Sequence, residues 1–202
     1  MGSPLLEVAV AEARDVAGAV TGGADRLLLS IAGPGDGLSP DLADASAVRR
    51  ESGVPVRVML RLNESATTTG GEFTRLIGLA EEYLALGAQG VAFGFLDPDL
   101  EIDVDTCSAL ADALPGVPWT FHRVVDRVLD QRRAWRSLRA LAGLSAVASG
   151  GSALGLSQGY DDLLALAEAD PAVAALLQPA GGLVAEQVPW LVRAGVHQFR
   201  IE

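Results

Sequence analysis

Residues 118–126 read Pro118-Trp119-Thr120-Phe121-His122-Arg123-Val124-Val125-Asp126. A short run of aromatic and small residues passes into an imidazole, a guanidinium and a carboxylate, and a helical pattern follows from Asp130. A polar cluster at the downstream end of a strand that feeds a helix is where a parallel α/β protein places its chemistry. Taken alone, a His-Arg pair also reads as a surface ion pair beside a half-buried histidine. Its place in the strand-helix order turns the reading toward a site.

The same step repeats on both sides. Strand patterns cover residues 5–10, 26–30, 55–60, 90–96, 118–122, 144–148 and 196–201, and residues 172–178 read as strand or helix end. Residues 26–30 are nearly continuous leucine, as expected where both faces are covered. Helical patterns cover 12–21, 39–52, 72–86, 103–114, 130–141, 159–169 and 185–194, with Ser39 as N-cap and Pro40 in the first turn of the second. Eight strands and seven intervening helices in one unbroken pattern predict a single domain over residues 1–202.

Eight βα steps that close on themselves form a (β/α)8 TIM barrel, and the alternative is an open doubly wound sheet. The glycine-rich loop at residues 32–37 follows the second strand and does not match a G-x-G-x-x-G fingerprint, which favours the barrel. The pattern stops at the eighth strand without a terminal helix. Outer faces of the first and last strands left uncovered predict a partner subunit, hence a homo-oligomer.

Composition narrows the function classes. The chain of 202 residues is half hydrophobic, carries a net charge of −11 and contains no lysine. An acidic chain without a basic run does not read as a nucleic-acid or anionic-membrane binder. Lysine Schiff-base and P-loop chemistry are excluded outright. Cys107 is the only cysteine, so intrachain disulfides and Cys-rich zinc sites are excluded too; its helical neighbours mark it as a structural thiol. The start Met-Gly-Ser-Pro lacks a signal-peptide pattern, and no apolar run reaches membrane-spanning length, so a cytoplasmic protein is expected.

A barrel would gather Glu7, Ser30, Arg61, Asn63, Asp97, His122, Arg123, Asp126, Ser149 and Arg200 near one mouth. Glu7 stands alone among aliphatic residues and needs a cation or a ligand; Arg61 or Arg123 would supply the cation, in which case the group is a structural buttress. In the site reading, His122 is the general acid or base, oriented by Glu7 or Asp126. Arg61 and Arg123 bind a carboxylate or phosphate through their planar forks of donors. Ser149-Gly150 and Gly181-Gly182 offer backbone amides to the same anion, or simply allow tight turns. The threonine-rich segment 61–71 would close over the site. His122 and His197 fall on different strands, so a two-histidine metal site is not expected. A single ion on His122 and Glu7 is the remaining metal alternative, and the metal itself stays unassigned.

Several segments together resemble the CutC family of copper-homeostasis proteins. They are Leu6-Glu7-Val8, Gly22-Gly23-Ala24-Asp25-Arg26-Leu27, Gly37-Leu38-Ser39-Pro40 and Val58-Met59-Leu60-Arg61, followed by Gly90-Val91-Ala92-Phe93-Gly94, Thr120-Phe121-His122-Arg123 with Asp126, Ser149-Gly150-Gly151 and Gly181-Gly182. The resemblance implies a TIM barrel, a cytoplasmic location, oligomer formation and copper handling or copper binding, with a copper ion as the implied cofactor. The chain departs from that family where Leu28 and Ser30 replace a glutamate and a cysteine. Leu62-Asn63 replaces a Pro-Arg pair, and Arg200 replaces a histidine. Copper(I) prefers thiolate and imidazole ligands, so these departures favour the alternative of an enzyme acting on a small anion by acid-base chemistry, or a barrel kept as a binding scaffold.

Overall fold

Eight parallel strands pair in the order β7-β6-β5-β4-β3-β2-β1-β8. They are β1 (Leu5–Val10), β2 (Arg26–Leu29), β3 (Val56–Met59), β4 (Gly90–Phe93), β5 (Trp119–Phe121), β6 (Leu144–Ser149), β7 (Leu177–Pro179) and β8 (Gln198–Ile201). The computed structural model describes residues 4–31 and 37–202, so most of the expected glycine-rich loop at 32–37 lies outside the described residues. Pairing of β1 with β8 curls the sheet into the expected (β/α)8 barrel. At the β7–β8 seam, Gln198 Nε2 of β8 reaches past the short β7 and donates to Ser145 O of β6 at 3.0 Å on one side. On the other, the Glu202 carboxylate accepts from Gly181 N and Gly182 N.

Helices α1 (Ala13–Thr21), α2 (Leu42–Glu51), α3 (Gly70–Ala85), α4 (Val104–Asp112), α5 (Gln131–Leu138), α6 (Leu156–Ala169), α7 (Pro171–Leu176) and α8 (Val188–Arg193) make up the connections, one more than expected. The extra helix comes from residues 172–178. Asp170 caps α7 and Pro171 opens it, and the chain then passes directly into β7. The α2 cap is Asp41, whose carboxylate accepts from Asp44 N at 2.7 Å, and not Ser39. Ser39 instead accepts from Arg61 N at 2.8 Å, pinning the loop after β2 to the end of β3. A Thr69–Glu72 capping box starts α3 earlier than expected and takes the last turn from the threonine-rich loop.

Side-chain alternation splits the buried residues into two cores. Leu27, Leu29, Val56, Val58, Val91, Phe93, Trp119 and Phe121 face outward into the main core. There the Trp119 and Phe93 rings stack with centroids 4.1 Å apart. Leu28, Met59, Ala92, Ala146, Ala148 and Ala180 are buried without belonging to that core, because they face the lumen.

Paired registers, combined with the climb of about one residue per strand that this barrel geometry imposes, sort the lumen residues into layers. The lowest holds Arg26, Gly90, Ala146 and Gln198, and the next holds Glu7, Arg57, Thr120 and Gln178. Above them come Leu28, Ala92, Ala148 and Arg200, then Ala9, Met59, His122 and Ala180. Barrels of this kind fill such layers with bulky aliphatic residues. Here the upper two layers carry alanines, whose methyl groups cannot span a lumen.

Candidate functional site at the barrel lumen

Glu7 lies within the barrel and not on its rim, because β1 runs three residues beyond it. Its expected cations, Arg61 and Arg123, are not its partners. Arg26 Nε donates to Glu7 Oε2 at 2.5 Å, and Arg200 Nη1 lies 3.9 Å from Glu7 Oε1. Arg57, one strand further round, donates to the Thr120 hydroxyl and, at 2.8 Å, to Ser145 Oγ. Burial pushes the Arg57 guanidinium down to about 10, the positive charge of Arg26 acts in the same direction, and Glu7 opposes both. Three buried arginines therefore share the lumen with one buried carboxylate among the described residues.

His122 closes β5 on the lumen side, in the same layer as Met59, and is almost fully buried. Its Nδ1 accepts from Val124 N at 3.1 Å, where the imidazole caps a 3-10 turn, Arg123–Arg127. That bond commits Nδ1 as an acceptor and places the hydrogen of the neutral ring on Nε2. Ala9 and Ser30 remain partly exposed and mark the open side of the mouth.

Asp126, Arg123, Ser149 and Gly150 come together, but as a brace between loops. The Asp126 carboxylate accepts from Ser149 Oγ at 2.6 Å, from Gly150 N at 2.9 Å and from Arg123 Nε at 2.9 Å. Burial pushes the Asp126 carboxyl up, against the pull of Ser149, Gly150 and Arg123. With these partners, Asp126 is placed to hold loops rather than to orient His122. Arg61 is also tied to backbone: Nη2 donates to Glu64 O at 2.9 Å and Nη1 to Gly37 O at 3.4 Å. It stands beside the mouth and holds its two loops together.

Sequence reasoning missed Gln178 and the anion-like role of Glu202. Gln178 is fully buried on β7, where a polar residue in a short apolar strand was the available signal. Arg26 and Arg57 were likewise detectable as charges inside otherwise apolar strands.

The donor set for a metal is sparse. No group of three or more His, Cys, Asp or Glu among the described residues is arranged to hold an ion. Cys107 is buried on α4, behind the strands, with its thiol pushed up to about 12 by burial. His197 is exposed below β8, and no described helix is long and apolar enough to cross a membrane.

A family model described as the CutC family matches residues 4–201. A CutC family protein of Xylella fastidiosa is 32% identical over 202 residues, covering 96% of this chain and 73% of its own length. A human copper homeostasis protein cutC homolog is 33% identical over 144 residues, covering 68% of this chain and 50% of its own. The solved structure of a CutC protein from Streptococcus agalactiae superposes with a TM-score of 0.83 at 22% identity, over 98% of this chain and 97% of that one.

Proposed function

This chain belongs to the CutC family, and on that premise we propose that it serves copper homeostasis, the role for which its human relative is named, by binding a small anionic molecule in the barrel lumen. One observation carries the molecular part. A protein of net charge −11 buries Arg26 and Arg57 in its lumen, where Arg26 pairs with Glu7 and Arg57, among the described residues, donates to the neutral hydroxyls of Thr120 and Ser145. Burying guanidinium groups in excess of carboxylate is costly, and a bound anion offsets that cost.

Copper itself fits the lumen less well. Copper(I) favours thiolate, thioether and imidazole donors. Of the described donors only His122 and Met59 share a layer, while Cys107 and His197 lie elsewhere. At the positions where the family resemblance led to Glu, Cys and His, the chain carries Leu28, Ser30 and Arg200. These exchanges remove soft ligands and add a cation. In the proposal, His122, at the top of the lumen, is the group among the described residues that exchanges a proton with the bound anion. The proposal also keeps the protein in the cytoplasm as a homo-oligomer; the exposed Trp190, Val192 and Ile201 at the β8 side support a contact surface there.

The test is a copper(I) titration against a competing chelator, with wild type and His122→Ala. Weak binding that ignores the substitution is expected. Tight stoichiometric binding abolished by His122→Ala would replace the anion with a bound copper ion as the lumen's cargo.

A further inference from the structure

Two features of β7 and its following turn are not explained by the packing of the barrel. Gln178 is fully buried, faces the lumen, and has no hydrogen-bond partner on either its amide nitrogen or its carbonyl oxygen among the described residues. A buried amide left without bonds is costly, and such exceptions call for a partner that completes them. Three residues along, Gly181 and Gly182 both adopt positive φ, 88° and 86°. Their successive N–H groups form an anion-binding concavity of the kind made by backbone turns.

That concavity already holds an oxyanion. Gly181 N donates to Glu202 Oε1 at 3.1 Å and Gly182 N to Glu202 Oε2 at 3.3 Å. The Arg123 guanidinium backs the turn, since a Cβ built on Gly181 would fall 2.5 Å from its Cζ. The carboxylate that fills the seat comes from an exposed residue, so releasing it to water uncovers little.

We propose that Gly181 and Gly182 are the anion seat of the lumen ligand, that Glu202 is a displaceable stand-in, and that Gln178 binds the uncharged polar part of the same molecule. Ala180, between them, presents only a methyl group toward the lumen. Only Pro179 and Ala180 separate Gln178 from Gly181, across the end of β7 and the start of its turn. This span suits a compact metabolite with one phosphate or carboxylate and a neighbouring hydroxyl or amide. The inference rests on the lumen being an anion site and adds where the anion sits and what competes for it.

Calorimetric titration of inorganic phosphate and of glycerol 3-phosphate into wild type, Glu202→Ala, Gln178→Leu and His122→Gln tests it. Removing the stand-in is expected to tighten both probes about tenfold, because the binding-competent seat is no longer occupied. Gln178→Leu is expected to weaken glycerol 3-phosphate about tenfold and leave inorganic phosphate unchanged, since it deletes bonds to the uncharged part alone. Unchanged or weaker binding in Glu202→Ala overturns the seat, and an unaffected glycerol 3-phosphate affinity in Gln178→Leu overturns the role of the amide. Phosphate binding that is lost in His122→Gln but indifferent to Glu202→Ala leaves the lumen reading standing and sinks only the seat. Absence of binding to all four proteins sinks both.

Discussion

Gln178 and Cys107 are both fully buried polar side chains, yet they sit in opposite circumstances. Gln178 faces the lumen with its bonds unmade, whereas Cys107 lies in the outer core with its thiol directed at Phe95 O. Replacing Gln178 by leucine removes two unsatisfied polar atoms, and ligand-free stability should rise by about 1–3 kcal/mol. Urea unfolding measures it; a loss of stability would mean that the amide is paired in solution. For Cys107, burial raises the thiol from an ordinary 9.0 to about 12. The fold is therefore favoured fully below the ordinary value, and this contribution is lost as pH rises through about 12. At about pH 8 the native thiol should not react with a disulfide reagent, while the urea-unfolded chain reacts at once. Rapid labelling of the native protein would contradict its place in the core.

At the level of elements, the 3-10 turn after β5 and the loops after β6 and β7 are held by one carboxylate. Asp126 joins Arg123, Ser149 and Gly150, and Arg123 in turn lies against Gly181. Asp126→Ala should cost about 3–5 kcal/mol, because it removes the carboxylate to which Arg123, Ser149 and Gly150 all donate. Equilibrium unfolding would show it, and a loss under 1 kcal/mol would mean the loops hold without the brace. The raised Asp126 carboxyl also sets a sign for pH. Its contribution is fully present below the ordinary carboxylate value and is lost as pH rises through its raised value in the folded protein, so Asp126→Asn should flatten that part of the stability profile. Strand and helix order were legible because apolar runs and helical spacing repeat so regularly. The cap of α2 was misread because Ser39 and Asp41 both suit a helix start, and only the fold engages Ser39 with Arg61. Residues 172–178 were ambiguous because a six-residue helix and a three-residue strand adjoin with no turn between them.

Across the whole molecule, charge is divided by location: the protein is strongly acidic overall, while the described residues of the barrel interior carry more arginine than carboxylate. Glu7 is the counter-charge on which that arrangement depends. Glu7→Gln should destabilise the protein by about 3–5 kcal/mol by removing the carboxylate that pairs with the buried Arg26. Melting experiments decide it, and a neutral effect would mean that solvent already screens the lumen. His122 was correctly placed at a strand end, because alternation from Thr120 carries it inward. The partners of Glu7 were not legible, since they depend on barrel register, which joins residues far apart in the chain. The central claim is that the lumen takes a small anion. Its most direct test is the melting temperature of wild type in phosphate against chloride at equal ionic strength. The account predicts a rise that grows with phosphate and reaches about 2.7 kcal/mol of stabilisation at a hundred times the dissociation constant. A melting temperature that does not change with phosphate would contradict it.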